Sequence, residues 1–179
     1  MNNTPPWIIS APDIDTTLTR EVNKKESPET LLALARDKTD RQYGDWIQIY
    51  KDASKTTAGQ VGLGCYIKST STTLKVEESG RLTDGVAIQT GEMTAIGRAL
   101  EHISRLEQTL GPSKFAIFTD SLSSVINFSY GRSANRPNLF TDMMNIIHHI
   151  KSQITLVWIP SHIGIPGNEK ADKLANIGT

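Results

Sequence analysis

The sequence predicts an α/β domain with a five-stranded mixed sheet flanked by helices, and three observations carry that prediction. Strand-like runs at residues 46–50, 61–67 and 72–82 follow one another with only turn-forming Ser, Thr and Gly residues between them. Met93, Ile96, Leu100, Ile103 and Leu106 then recur at three- and four-residue steps, the apolar stripe of one helix, which Gly111 and Pro112 end. Compact apolar strands at 115–119 and 154–159 alternate with further helical patterns, so the later part of the sheet is expected to be parallel.

Taken in order, residues 1–26 hold three prolines and no sustained apolar period and read as an extended leader. Ser27 can cap free backbone N–H groups and Pro28 suits the first helical position. Leu31, Leu32, Leu34 and Ala35 supply the apolar face of a short helix ending near residues 36–38. Residues 1–45 therefore read as a leader with one short helix, and 46–179 as one folded domain. In that domain Leu122, Val125 and Ile126 imply a helix directly behind Asp120. A Gly/Ser/Asn/Pro stretch at 131–138 precedes a second helical face of Leu139, Phe140, Met143, Met144, Ile147 and Ile150. A Pro/Gly-rich loop at 160–167 leads into a last short helix around 168–176.

Composition narrows the class. An apolar share of 37% and a charged share of 21% are those of an ordinary globular chain. The single cysteine, Cys65, excludes an internal disulfide and a cysteine metal cluster, suits a reducing intracellular compartment, and reads as a small apolar strand residue. The first ten residues lack the basic and apolar regions of a secretion signal, and no run of about 18 apolar residues occurs. Nineteen basic and nineteen acidic side chains cancel. Nucleic-acid binding usually shows as a basic surplus, but acids committed to divalent cations would leave the remaining surface effectively more basic. Charge decides neither way.

Four acids occupy element ends, where sheet proteins gather functional groups. Asp52 lies just past the alternating run of the first strand, Glu92 at the entry to the long helix, Asp120 at the end of the fourth strand and Asp172 in the last helix. Taken singly, each has a bland explanation: an acid in a first helical turn is favoured by the helix dipole, and Asp120 is a natural cap for the helix behind it. Spacing alone leaves both explanations open.

The local strings go further. Ile-Tyr-Lys-Asp-Ala-Ser-Lys at 49–55, Gly-Glu-Met-Thr-Ala-Ile at 91–96 and Phe-Thr-Asp-Ser at 118–121 come in that order. They are followed by Trp-Ile-Pro-Ser-His-Ile-Gly-Ile-Pro-Gly-Asn-Glu-Lys-Ala-Asp-Lys-Leu-Ala at 158–175. Together they make residues 46–176 resemble the type-1 ribonuclease H domain over essentially its full length. The Pro-Pro-Trp leader and the Pro-Ser-His-Ile-Gly-Ile-Pro-Gly-Asn phrasing are similar to the branch found in non-LTR retrotransposon polyproteins, where residues 1–45 would connect to an upstream reverse transcriptase.

The resemblance implies a ribonuclease H-like fold and an endonuclease that hydrolyses the RNA strand of RNA·DNA hybrids. It also implies two Mg²⁺ ions, with Mn²⁺ as a substitute, held by Asp52, Glu92, Asp120 and Asp172. Hard cations of this kind prefer carboxylate and water oxygens. His162, in its Pro/Gly loop, is implied as the proton shuttle. Asn168, one helical turn before Asp172, could steady His162 or the substrate, or simply cap the helix. Ser54, Thr90 and Ser121 are small polar groups beside the carboxylates that could contact phosphate or sugar oxygens, or serve as strand-end and cap residues.

Three departures from the family stand out. Ala53 replaces a frequent glycine, Leu122 stands where some relatives carry a polar group, and 127–138 lacks a basic segment beyond Arg132 and Arg136. The main alternative is a catalytically inert nucleic-acid-binding module of the same fold. Integrases and Holliday-junction resolvases, similar in fold, are disfavoured by the His162 loop and the fourth acid.

Overall fold

A computed structural model describes residues 11–133 and 136–179. Its strands are β1 (Asp13–Asp15), β2 (Ile47–Lys55), β3 (Val61–Lys68), β4 (Lys75–Leu82), β5 (Lys114–Thr119) and β6 (Gln153–Trp158). Its helices are α1 (Thr19–Asn23), α2 (Pro28–Asp37), α3 (Ile88–Leu110), α4 (Leu122–Ser129), α5 (Pro137–His149) and α6 (Pro166–Ile177), with a π-helical turn at Lys38–Gln42.

The strands form one mixed sheet in the order β1-β6-β5-β2-β3-β4. β2, β3 and β4 pair antiparallel, whereas β5 runs parallel to β2, β6 to β5 and β1 to β6. The five predicted strands are all present. A sixth, β1, corrects the count and shows that the leader is not simply extended. Three residues are too few to display a period, and Asp13–Asp15 becomes a strand only because the exposed edge of β6 offers its backbone groups. Residues 19–23, likewise read as leader, form α1. The predicted Pro-Pro-Trp leader lies outside the described residues, as do two residues of the stretch at 131–138.

The sheet separates two apolar layers. Phe115 and Ile117 of β5 face one cluster with Ile49, Ile67, Ile96, Ile103 and Met143. Ala116 and Phe118 face the other, with Tyr50, Val157, Ile165 and Ala171. β5 is buried on both faces, which explains its continuous apolar run. Cys65 lies buried in β3, and burial together with the Glu78 carboxylate pushes its thiol up to about 12.

Two details position the site. A Cβ on Gly62 or Gly64 of β3 would lie 2.0 Å from the carbonyl oxygen of Ala175 or Ala171, so only glycine lets α6 lie directly on the sheet. On the same layer the segment before β2 is fastened by a buried polar group. Lys38 Nζ and the Tyr43 hydroxyl each donate to Asp15 Oδ2 at 2.7 Å, and the Thr17 hydroxyl donates to Asp15 Oδ1 at 2.8 Å. Burial would raise the Asp15 pKa, but these donors outweigh it and hold the carboxyl below its ordinary value.

Candidate active site

The first strand is longer than its apolar alternation suggested, because residues 51–55 gain a ladder with Val61–Cys65 of β3. Asp52 therefore stands within β2 rather than just past it. The parallel register of β2 and β5 ends at Tyr50 with Phe118, so two residues further on Asp52 comes abreast of Asp120 at the end of β5. Glu92 reaches the same point from α3. Carboxylate oxygens of Asp52, Glu92 and Asp120 all lie within 4.8 Å of one another.

The bland explanations for two of these acids fail in the structure. Glu92 sits past the first turn of α3, which contains no acid, so it does not complement the helix dipole there. Asp120 makes no side-chain cap: Ser121 is the cap residue of α4, and Leu122 donates to the backbone carbonyl of Asp120 at 3.1 Å.

An open cleft of about 850 Å³ is lined by Asp52, Ser54, Glu92, Asp120, Ser121, His162 and Asp172. All four predicted acids and the predicted histidine thus share one cleft. Asp172 arrives on α6, one residue after the Ala171 carbonyl that rests on Gly64. His162 is exposed, and its φ of +55° puts a non-glycine residue in the left-handed region, a backbone state that persists only where the surroundings impose it.

The other predicted contacts divide. Ser121 exchanges a hydrogen bond of 2.8 Å with Ser124, and the Ser54 hydroxyl donates to the Asn176 side chain. Thr90 lies apart from the main cleft, lining a neighbouring cavity where its hydroxyl accepts from Arg136 Nε at 2.8 Å. Asn168 is inside α6 rather than at its cap. It is buried, its Oδ1 lacks a hydrogen-bond partner among the described residues, and it lines a second cavity of about 420 Å³ with Asp52, His162 and Asp172.

Electrostatics mark Asp52. It is 6% exposed, and burial, then the Asp120 and Glu92 carboxylates, raise its pKa to about 8. The Lys51 ammonium and the Ala53 N–H, which donates to Oδ1 at 2.8 Å, act in the opposite direction. Converging carboxylates that repel one another and resist ionisation are relieved by a divalent cation. A donor set made only of hard oxygens suits Mg²⁺, Mn²⁺ or Ca²⁺ better than a soft metal.

Sequence reasoning missed Lys51, which is fully buried and ion-paired with Glu92. The available signal was strand alternation: a lysine directly before a site aspartate must point to the opposite, covered face and needs a partner there. The departure at Ala53 also reads differently in three dimensions, since a Cβ on Gly91 of α3 would come within 3.2 Å of its methyl group. Leu122 is exposed on α4. No helix among the described residues is long and apolar enough to cross a membrane.

A mixed sheet in this strand order, flanked by helices and with acids gathered beside the parallel pair β2 and β5, is that of the ribonuclease H-like α/β proteins. Residues 45–179 match the family model described as RNase H, and the chain belongs to that family. Among solved structures, RNase H1 from the halophilic archaeon Halobacterium salinarum NRC-1 is similar with a TM-score of 0.58 at 18% identity, covering 74% of this chain and 96% of that one. LC11-RNase H1, isolated from compost by a metagenomic approach, gives a TM-score of 0.62 at 22% identity, covering 75% and 95%. The same protein in complex with an RNA/DNA hybrid gives 0.61 at 21%, covering 73% and 94%. These likenesses concern the fold. No curated protein matches the chain.

Proposed function

We propose that this protein is an endonuclease that hydrolyses the RNA strand of RNA·DNA hybrids, with Asp52, Glu92, Asp120 and Asp172 as ligands of divalent cations. The observation that carries this reading is the convergence of three carboxylates within 4.8 Å, in a cleft that Asp172 and His162 also line. Family membership supports the reaction class, and the LC11-RNase H1 complex with an RNA/DNA hybrid supports the substrate.

Two Mg²⁺ ions, with Mn²⁺ as a substitute, would supply an activated water and charge stabilisation at the leaving 3′ oxygen. The chain's own residues do the rest. Asp52, the buried member of the acid cluster, would help hold the ions. His162, exposed at the rim, takes or returns the proton at the scissile phosphate. Asn168, with its unpartnered Oδ1, steadies the His162 side of the cleft. Ser54, Ser121 and Thr90 offer hydroxyls to phosphate or sugar oxygens.

Residues 46–179 constitute the catalytic unit, with 1–45 as a connector to an upstream reverse transcriptase in a polyprotein of non-LTR retrotransposon type. The buried, solitary Cys65 is in keeping with an intracellular setting.

The test is cleavage of a labelled RNA·DNA hybrid in Mg²⁺ or Mn²⁺, beside duplex RNA and duplex DNA, for the native chain and Asp120→Asn. Cutting confined to the RNA strand of the hybrid, and lost in the variant and in chelator, is the expected result. Binding without cutting in either metal would overturn it in favour of an inert nucleic-acid-binding module.

A further inference from the structure

Lys51 precedes Asp52 in β2, and strand alternation sends the two side chains to opposite faces of the sheet. Asp52 faces α6; Lys51 lies beneath α3. Its side chain has no exposed area, and its ammonium is ion-paired with Glu92, whose side chain is 13% exposed. Directly across on β3 stands the buried Cys65, which is no counter-ion, and Ile49 and Ile67 on the same layer are apolar. Among the described residues, Lys51 is the only cation in a salt bridge with any of the four site acids. Packing does not call for a charge here. A buried ammonium is costly unless paired, and Glu92 is the partner that makes it tolerable.

This pairing divides the acid cluster. Asp52 and Asp120 repel each other and neither is in a salt bridge among the described residues, so the first divalent ion gains most between them. Glu92 already carries an ammonium on one oxygen. An ion approaching that oxygen must displace the ammonium or bind beside a positive charge in a poorly screened interior.

We propose that Lys51 is a built-in counter-ion of the site: a positioning residue that holds Glu92 and competes with a divalent cation for its carboxylate. The Glu92 side of the site then fills only at higher metal concentration than the Asp52–Asp120 side. This inference rests on the proposed metal-dependent nuclease reading and adds to it a device that sets metal demand.

The experiment is calorimetric titration of the full chain with MnCl₂ for the native protein, Lys51→Met and Lys51→Gln. Hybrid cleavage over a MnCl₂ series and thermal melting with and without MnCl₂ accompany it. Two unequal Mn²⁺ affinities are expected for the native chain. In both variants the weaker should tighten about tenfold or more, the MnCl₂ needed for half-maximal cleavage should fall in step, and the metal-induced rise in melting temperature should grow. Lys51→Gln retains length and a donor, so it reports if Lys51→Met does not fold without metal. Identical titrations and metal-induced melting shifts for all three chains, with cleavage intact, would overturn the role of Lys51 alone. Absence of Mn²⁺ binding and of cleavage in the native chain would instead overturn the nuclease reading and this inference with it.

Discussion

Asp52→Asn should make the metal-free protein more stable while abolishing its nuclease activity. The Asp52 carboxyl is raised from its ordinary 3.8 to about 8 by burial and by the Asp120 and Glu92 carboxylates. In the unfolded chain it ionises near its ordinary value, so between those two pH values the folded state binds the extra proton. Folding stability therefore falls as pH rises through that window and levels off above it. At pH 7 the unfolded carboxyl has gained free energy over about three pH units that the folded one has not, about 4 kcal/mol at 1.36 kcal/mol per unit. An asparagine is neutral at every pH but still pays for burying its amide, so about half of that, roughly 2 kcal/mol, should be recovered. For a domain of this size the gain corresponds to about 4 to 8 °C in melting temperature.

The assay is urea unfolding of native and variant chains at pH 4, 6 and 8 in chelator, repeated in Mg²⁺. The two chains should be nearly equal at pH 4 and diverge towards pH 8, and added metal should narrow the gap by stabilising the native chain. A variant no more stable at pH 8 than the native chain, or an advantage independent of pH, would refute the assignment of Asp52 as a buried, mutually repelled carboxyl.

Three further outcomes are expected. Asp15→Asn leaves the buried Lys38 ammonium without its counter-charge and should cost about 3 to 5 kcal/mol in urea unfolding, with Asp15→Asn/Lys38→Met costing less than the single change. Because the Asp15 carboxyl is held below its ordinary value, its contribution should be complete above pH 3.8 and disappear as the pH falls through its lower folded value. Gly64→Ala places a methyl 2.0 Å from the Ala171 carbonyl, so α6 must shift; a loss of about 1 to 3 kcal/mol with a fall in hybrid cleavage is expected, and full activity would contradict the placement of Asp172. His162→Ala should lower kcat for hybrid cleavage by about 10² to 10⁴ with Mn²⁺ binding unchanged; an unaltered kcat would remove His162 from the reaction.

The helix was legible from Glu92 to Gly111, short of its observed start at Ile88, and 115–119 as a buried strand, because each period repeats within a short span of chain and depends on local geometry alone. The site acids were legible for another reason. Each stands in a characteristic local string, and the four strings keep their order from 49 to 175.

Other features required the tertiary structure. β1 exists because β6 has a free edge, the span of Asp52 in β2 because Val61–Gly64 lies alongside, and the contact of Thr90 with Arg136 because α3 meets the start of α5. The Lys51–Glu92 pair joins residues 41 positions apart, and the altered ionisation of Asp52 depends on three elements meeting in a buried place. Periodicity records what a residue's neighbours in sequence require, so the sequence by itself determined the long helix and the apolar strands, and its local strings marked the candidate acids. Burial and Coulomb interactions depend on distance through space, so only the tertiary structure decided which of those acids repel, which one is paired, and which face of the sheet each group occupies.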